Sequence, residues 1–272
     1  MSPPPTRPAG APAVVSAHAQ AAFERKSRQM GLEPHHPWIG GYVDYEWEHL
    51  RHVAEALPVA LPNLRVLEFG CNVGASAIVL AQLGAQVSGI DVCTEIVELA
   101  RLNARRFGHD DLDLHHVTDS SRLHWPAGAF DLVLCNSVLE YVPVDQLAAV
   151  QREIDRVLRP GGLILVTASS NRLWPFEVHS GRWGVNYLPR WLDAWSRKPR
   201  VRGVWPWAVR YGFGPHYRNI DDARAGHYFK RSRLRMGAPP LRLNALLTLA
   251  GLMRVGPGML AQSVSCLLQK RA

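Results

Sequence analysis

The stretch VLEFGCNVGASAIVLAQLG, residues 66–84, limits what this chain can fold into more than any other part of it. A short apolar run ends at Gly70, a tight turn leads to Gly74, and an apolar helical period through Ile78, Val79 and Leu83 closes at Gly84. Strand, glycine turn and helix together form a frame in which backbone N–H groups at the helix start point at a bound anion, while glycine lets the chain come close to it. The order Gly70-Cys71-Asn72-Val73-Gly74, with Ser76 near the expected third glycine, does not match G-x-G-x-x-G, whose middle glycine admits a pyrophosphate. Asn is among the few residues that tolerate positive φ, so the turn is expected to keep its form with a polar side chain added at Asn72.

The same alternation continues downstream. AQVSGID reads as a second strand ending on Asp91. TEIVELARLNARRFG is a helix with Thr94 as expected N-cap, Ile96, Leu99, Ala100 and Asn103 in register, and a stop at Gly108. LDLHHVTD and FDLVLCNSV supply the third and fourth strands. VDQLAAVQREIDRVLRPGG is a helix with Leu147, Val150, Ile154, Val157 and Leu158 on one face, and Pro160-Gly161-Gly162 is expected to end it. LILVTASS is the fifth strand. Upstream, DYEWEHLRHVAEAL places Trp47, Leu50, Val53 and Leu57 on one helix face. Near the C-terminus, LRLNALLTLAG is expected to be helical, LMRVG a short strand, PG a turn and SVSCLLQK the last strand. The pattern predicts a parallel sheet with helices on both faces and a closing hairpin. Ligands of such sheets sit at the carboxyl ends of strands, here residues 70–74, Asp91, Asp119 and residues 135–137.

A chain of 272 residues suits one α/β domain with an elaboration. Residues 1–16, rich in Pro and Ala, read as a disordered tail rather than a signal peptide. The longest apolar stretch is cut by Gly251, Arg254 and Gly256-Pro257-Gly258, short of the roughly 20 residues a membrane span needs. Cys71, Cys93, Cys135 and Cys266 are scattered in apolar surroundings and read as buried, reduced thiols of a cytoplasmic protein. The formal charge of +8 is concentrated: between Arg172 and Arg235, fourteen Lys/Arg against four acids leave +10, so the remainder of the chain carries −2.

The set VLEFGCNVG, GID, VTDSS, FDLVLCNSVLEYV and RVLRPGGLILVTA resembles, in order, the motifs of class I S-adenosylmethionine-dependent methyltransferases, in particular the branch acting on small molecules, quinones, lipids and sugars. The fold this implies is α/β: a Rossmann-like, doubly wound, seven-stranded sheet, mostly parallel with a C-terminal antiparallel hairpin, plus a helical or irregular cap insertion. The implied organisation is a tail (1–16), a helical segment packing on the core (17–62), the S-adenosylmethionine-binding domain (63–170 and 241–272) and a basic, Trp-rich substrate cap (171–240). The resemblance places Glu68, Gly70, Asn72 and Gly74 around the methionine part of the cofactor and Asp91, with Val92 beside it, on the ribose hydroxyls. It places Asp119 with Ser120 at the adenine amine and Asn136 with Ser137 beside the sulfonium. Two positions depart from the family pattern: Asn72 replaces a commoner glycine, and Tyr141 stands where many relatives have His. No acid cluster is left at metal-ligand spacing, so no metal is expected.

Methyl transfer to a hydroxyl needs alignment of donor and acceptor and removal of the acceptor's proton. The segment after the fifth strand offers His179 as general base, its unperturbed pKa being near neutrality. A histidine satisfied inside the inserted segment is the alternative. Glu177, Tyr187 and Arg172 are the candidate acceptor-binding residues. Six tryptophans (Trp174, Trp183, Trp191, Trp195, Trp205 and Trp207) interleave with Arg190, Arg197, Lys198, Arg200, Arg202 and Arg210. Such a mixture suits an anionic or lipid-linked small-molecule acceptor, a peripheral membrane contact, or RNA; it equally suits a Trp-filled cap core with a solvated basic face. The expected activity is O-methylation of a small molecule or lipid-linked or glycan precursor, with RNA methylation or non-catalytic cofactor binding as the alternatives.

Overall fold

The computed structural model describes residues 10–188, 202–222 and 225–272. The chain divides into two compact units, Met1–Thr118 and Asp119–Ala272.

In the first unit, α1 (Ala17–Gln29) and α2 (Tyr42–Ala54) precede β1 (Arg65–Phe69), α3 (Ala75–Gln82), β2 (Gln86–Asp91), α4 (Thr94–Arg106) and β3 (Asp113–His116). Strand β1 is buried from Val66 to Phe69, as expected of a parallel strand covered on both faces, and Glu68 is the one acid in that run. β2 pairs in parallel with β1 and with β3, Glu68 opposite Gly89 and Asp91 opposite His116. α1 packs along α4 and α2 along α3. At the seam of α1 and α4, the Arg106 guanidinium lies 4.2 Å from the Phe23 ring centroid and donates to Gln20 Oε1 and Gly40 O. The N-cap of α4 is Cys93 and Thr94 is its first helical residue, so the helix starts one position earlier than expected; helix ends are set by backbone angles and shift by a residue without changing the face.

In the second unit, β4 (Phe130–Asn136), α5 (Val144–Val157) and β5 (Leu158–Ser170) are followed by a small two-stranded sheet, β6 (Phe176–Glu177) and β7 (Arg182–Trp183). Then come a 3₁₀ turn (Val185–Tyr187), α6 (Pro206–Tyr211), β8 (Tyr217–Asn219), α7 (His227–Arg235), α8 (Pro240–Met253), α9 (Pro257–Leu260) and β9 (Ser263–Lys270). The expected helix end at Pro160-Gly161-Gly162 moves upstream: α5 stops at Val157, and these three residues belong to β5. They form an irregularity in the ladder, with Phe130 opposite Leu158 but Leu132 opposite Leu163, and Gly161 takes φ 75° to make it.

The strand order is β3-β2-β1-β4-β5-β9-β8, a seven-stranded sheet closed by an antiparallel pair. That pair is not made by LMRVG. Leu252 and Met253 finish α8, Arg254 caps it at φ 54°, and Pro257 opens α9 at a first-turn position that proline favours. The partner of β9 is instead β8, so the sheet takes a strand from the stretch read as an inserted cap. Three residues, Tyr-Arg-Asn, are too few to show a strand period.

Two buried asparagines tie the segment after β5 to the rest of the unit. Asn171 donates to Met259 O and Ala261 O and accepts from Leu173 N. Asn186 donates to Trp174 O and accepts from Gly203 N. Trp174, Trp183, Trp205 and Trp207 are all exposed, so these four do not fill a cap core. Trp191, Trp195, Arg190, Arg197, Lys198 and Arg200 lie outside the described residues. Among the described residues no helix is long and apolar enough to cross a membrane.

Candidate functional site

The turn after β1 folds back onto β2. Gly70 N and Cys71 N both donate to Ile90 O, at 2.9 and 2.7 Å, and a Cβ on Gly89 would stand 3.0 Å from Cys71 Cβ. Asn72 has φ 46°, the positive φ expected of it, between Gly70 at φ 79° and Gly74 at φ 75°. Gly74 also permits close helix packing, since a Cβ there would lie 3.3 Å from Ala100 Cβ of α4. Asn103 of α4 holds the turn from beneath through Nδ2 to Val73 O, 2.6 Å.

Asp91 clasps this loop. Its Oδ2 accepts from Asn72 N at 3.0 Å and its Oδ1 from Cys93 N at 3.1 Å. A carboxylate offers about four lone-pair positions, so two remain after these bonds. Val92, next to it, is exposed. Glu68 is buried; burial drives its carboxyl pKa well up, against hydrogen bonds from Ser76 and from the Ala77 backbone in the first turn of α3. One oxygen thereby caps a helix whose N-cap, Gly74, has no side chain to do so, while Oε2 is buried with no hydrogen-bond partner. The acceptor capacity left on these groups fits a cofactor bearing an amino-acid end and a vicinal diol: the orphan Glu68 oxygen would accept from a donor, and the Asp91 carboxylate has lone pairs left for two hydroxyls.

Asn72 touches this arrangement through its backbone N–H. Asn72→Gly keeps that N–H and the positive φ. The expected affinity for S-adenosylhomocysteine by calorimetry therefore stays within about threefold of wild type; a larger loss assigns the side chain itself to the ligand.

In the second unit, exposed Asp119 closes a turn on Ser121, accepting from its N at 2.9 Å and its Oγ at 2.6 Å; hydrogen bonding from the Ser121 hydroxyl holds the carboxyl below its ordinary range. The partner is Ser121, and Ser120 makes no such bond to Asp119. Asn136 ends β4, and Ser137 follows it at φ 51°. Ser137 Oγ donates to Glu140 Oε1 and lies 3.2 Å from His179 Nε2, although the two residues are 42 positions apart.

His179 Nε2 is 2.8 Å from Glu140 Oε1, and the Glu140 side chain is buried. Burial opposes the charged imidazolium, but hydrogen bonding and the Glu140 carboxylate outweigh it, so the His179 pKa is raised. Glu140 Oε1 also accepts from Ser170 N at 3.2 Å, which anchors the acid to the end of β5. Glu140 was not singled out in the sequence; its signal was the acid beside Tyr141 in LEYV, in the loop leaving β4.

Glu177, read as an acceptor contact, is completely buried and turned to another task. Its Oε1 accepts from His179 N at 3.0 Å and its Oε2 from Ser180 N, so it holds the turn that carries His179. Burial raises its pKa, yet these bonds together pull it below the ordinary value. Tyr187 is exposed and donates its hydroxyl to Leu173 O at 2.6 Å. The Arg172 guanidinium stands 5.4 Å from the Trp205 ring centroid. Tyr141 is partly exposed, 6.0 Å from the His179 ring, its pKa pushed up to about 12 by burial and then by Glu140 and Glu177.

Residues 67–166 match the family described as methyltransferase domain. Curated relatives of the chain include a ubiquinone biosynthesis O-methyltransferase of Xanthomonas campestris pv. campestris (strain B100), 39% identical over 50% of this chain and 55% of that protein. Another of the same name, from Pseudomonas aeruginosa (strain LESB58), is 32% identical over 53% of this chain and 63% of that protein. The chain spans a little over half the length of the curated relatives it matches. Beyond the matched residues, the solved structure of the [4+2]-cyclase SpnF aligns over 83% of this chain and 82% of its own, with TM-score 0.50 at 21% identity, a likeness of fold. The match takes in every candidate cofactor residue from Glu68 to Ser137 and also Glu140. It stops before Arg172, Glu177, His179 and Tyr187.

Proposed function

We propose that the protein is an S-adenosylmethionine-dependent methyltransferase that methylates a hydroxyl oxygen of a small molecule. The observation carrying this reading is the Asp91 clasp on the Asn72 and Cys93 amides, a diol-accepting carboxylate set on a non-pyrophosphate turn within the matched domain. When bound, the cofactor supplies an electrophilic methyl group on a sulfonium. In this reading Glu68, Gly70, Asn72 and Gly74 would hold its amino-acid end, Asp91 and Val92 its ribose, Asp119 and Ser120 its adenine amine, and Asn136 and Ser137 would lie toward the reacting end.

His179 is the proposed base. With Nε2–H directed to Glu140, the neutral ring keeps its lone pair on Nδ1, which takes the acceptor's hydroxyl proton. Glu140 stabilises the imidazolium that forms, and Glu177 fixes the backbone beneath it. Tyr187 and Arg172 belong to the acceptor side in this reading, as does the basic segment 171–240, whose charge favours an anionic or lipid-linked acceptor.

The names of the curated relatives support an oxygen acceptor over RNA. So do the side chains: among the arginines of that segment, Arg202 donates to Val185 O, Arg210 pairs with Asp222 and Arg218 bonds Gln269. Because the aligned SpnF structure is that of a [4+2]-cyclase, a shared fold alone does not establish methyl transfer. The test has two steps. Calorimetry is expected to show S-adenosylhomocysteine binding and no NAD binding; NAD binding alone overturns the reading. Labelled methyl transfer to hydroxylated aromatic acceptors is then expected, and cofactor binding without transfer to any acceptor leaves the non-catalytic alternative.

A further inference from the structure

Helix α8 turns an apolar face outward. Its inner side, Leu243 with Leu246 and Leu247, packs on Phe229 of α7 and on Ala261. Leu241, Ala245, Leu249 and Leu252, spaced four, four and three apart, fall on one helical face away from Leu243 and Ala250. Leu241 is 83% exposed, Leu252 79%, Met253 52% and Leu249 50%. Isolated exposed leucines are ordinary, but a run of them along one helix marks a surface that meets something apolar.

The charge around this face selects what that something is. Residues 223–272 contain nine Lys/Arg and no Asp or Glu. Lys230, Arg231, Arg233 and Arg235 lie on α7, Arg242 near the start of α8 and Arg254 at its end, and Leu234 of α7 is exposed among them. A second copy of the chain docking here by two-fold symmetry would set this basic patch against itself. An acidic headgroup layer neutralises the cations while its acyl boundary takes up the leucines, and long basic side chains reach from helix to headgroup. Helix α8, at 14 residues, is too short to cross a membrane and long enough to lie along its surface.

We propose that the α7–α8 hairpin is an interfacial membrane-docking surface selective for anionic lipid. This does not depend on the proposed methyl transfer and is tested without cofactor. The full chain is floated with phosphatidylcholine vesicles containing about one-third phosphatidylglycerol, and with phosphatidylcholine alone. The expected result is flotation with the anionic vesicles at low salt, its loss at high salt, and none with the neutral ones. Leu241→Gln with Leu252→Gln is expected to weaken partitioning about tenfold or more. Lys230→Ala with Arg231→Ala is expected to weaken it about fivefold per charge. All four side chains are exposed, so unchanged thermal melts confirm that the variants fold. Absence of flotation at low salt overturns the proposal, as does flotation that both double variants retain. Sedimentation showing a dimer that the leucine variant converts to monomer also overturns it, assigning the face to a second copy.

Discussion

Asp91→Ala is expected to weaken S-adenosylhomocysteine binding about a hundredfold or more, measured by calorimetry. The carboxylate serves twice: it accepts from the Asn72 and Cys93 amides that shape the turn, and its remaining lone pairs are those assigned to the ribose diol. Hydrogen bonds to a charged group contribute about 1.5–3 kcal/mol each, so losing two already accounts for that factor. Asp91→Asn keeps the shape but places an NH2 where one acceptor oxygen was, so one of the two amides loses its partner and an intermediate loss is expected. If Asp91→Ala binds within threefold of wild type, the diol role is wrong. Binding by a nucleoside lacking the amino-acid end is expected to suffer equally, because Asp91 acts on the ribose; Glu68→Gln should spare that nucleoside.

His179→Ala is expected to lower turnover by about a hundredfold to ten-thousandfold, the usual range for a positioned acid or base, while cofactor affinity stays within about threefold. Unchanged turnover would return His179 to a purely structural part. The pH profile separates His179 from its support. The base works in its neutral form, and Glu140 raises its pKa above the ordinary imidazole value, so turnover should climb as pH rises through that raised value. Glu140→Gln removes the carboxylate that favours imidazolium and leaves the burial that disfavours it. The climb then moves to lower pH. The plateau above it falls as well, since the ring loses the partner that selects its tautomer. A profile unmoved by Glu140→Gln would mean that the 2.8 Å contact does not govern the titrating group.

The glycine turn and the acid at the end of β2 were legible because their information is local. Gly70, Asn72 and Gly74 announce a turn by the φ angles they tolerate, and Asp91 stands at the end of a short strand; that its carboxylate reaches the Asn72 amide follows from the pairing of β1 with β2. The misplaced elements had signals that were also local but ambiguous. Pro160-Gly161-Gly162 ends helices in most contexts, yet here it makes an irregular strand start, and only the β4 ladder distinguishes the two. LMRVG has a strand's composition, but it continues a helix that has run unbroken from Pro240, and a single glycine at Gly251 is too weak to stop that helix.

The sequence by itself determined the alternation of strands and helices, the turn between β1 and α3, and the placing of acids at strand ends. Backbone preference and hydrophobic period act over a few residues and need no partner. Tertiary structure alone decided that Glu140 meets His179, that Glu177 is buried under the turn carrying His179, that Tyr217–Asn219 pairs with β9, and that four tryptophans and Leu241, Leu249 and Leu252 of α8 face outward. Each of these joins residues far apart in the chain or depends on which face is covered. Desolvation and cross-strand pairing exist only once the sheet has brought those residues together.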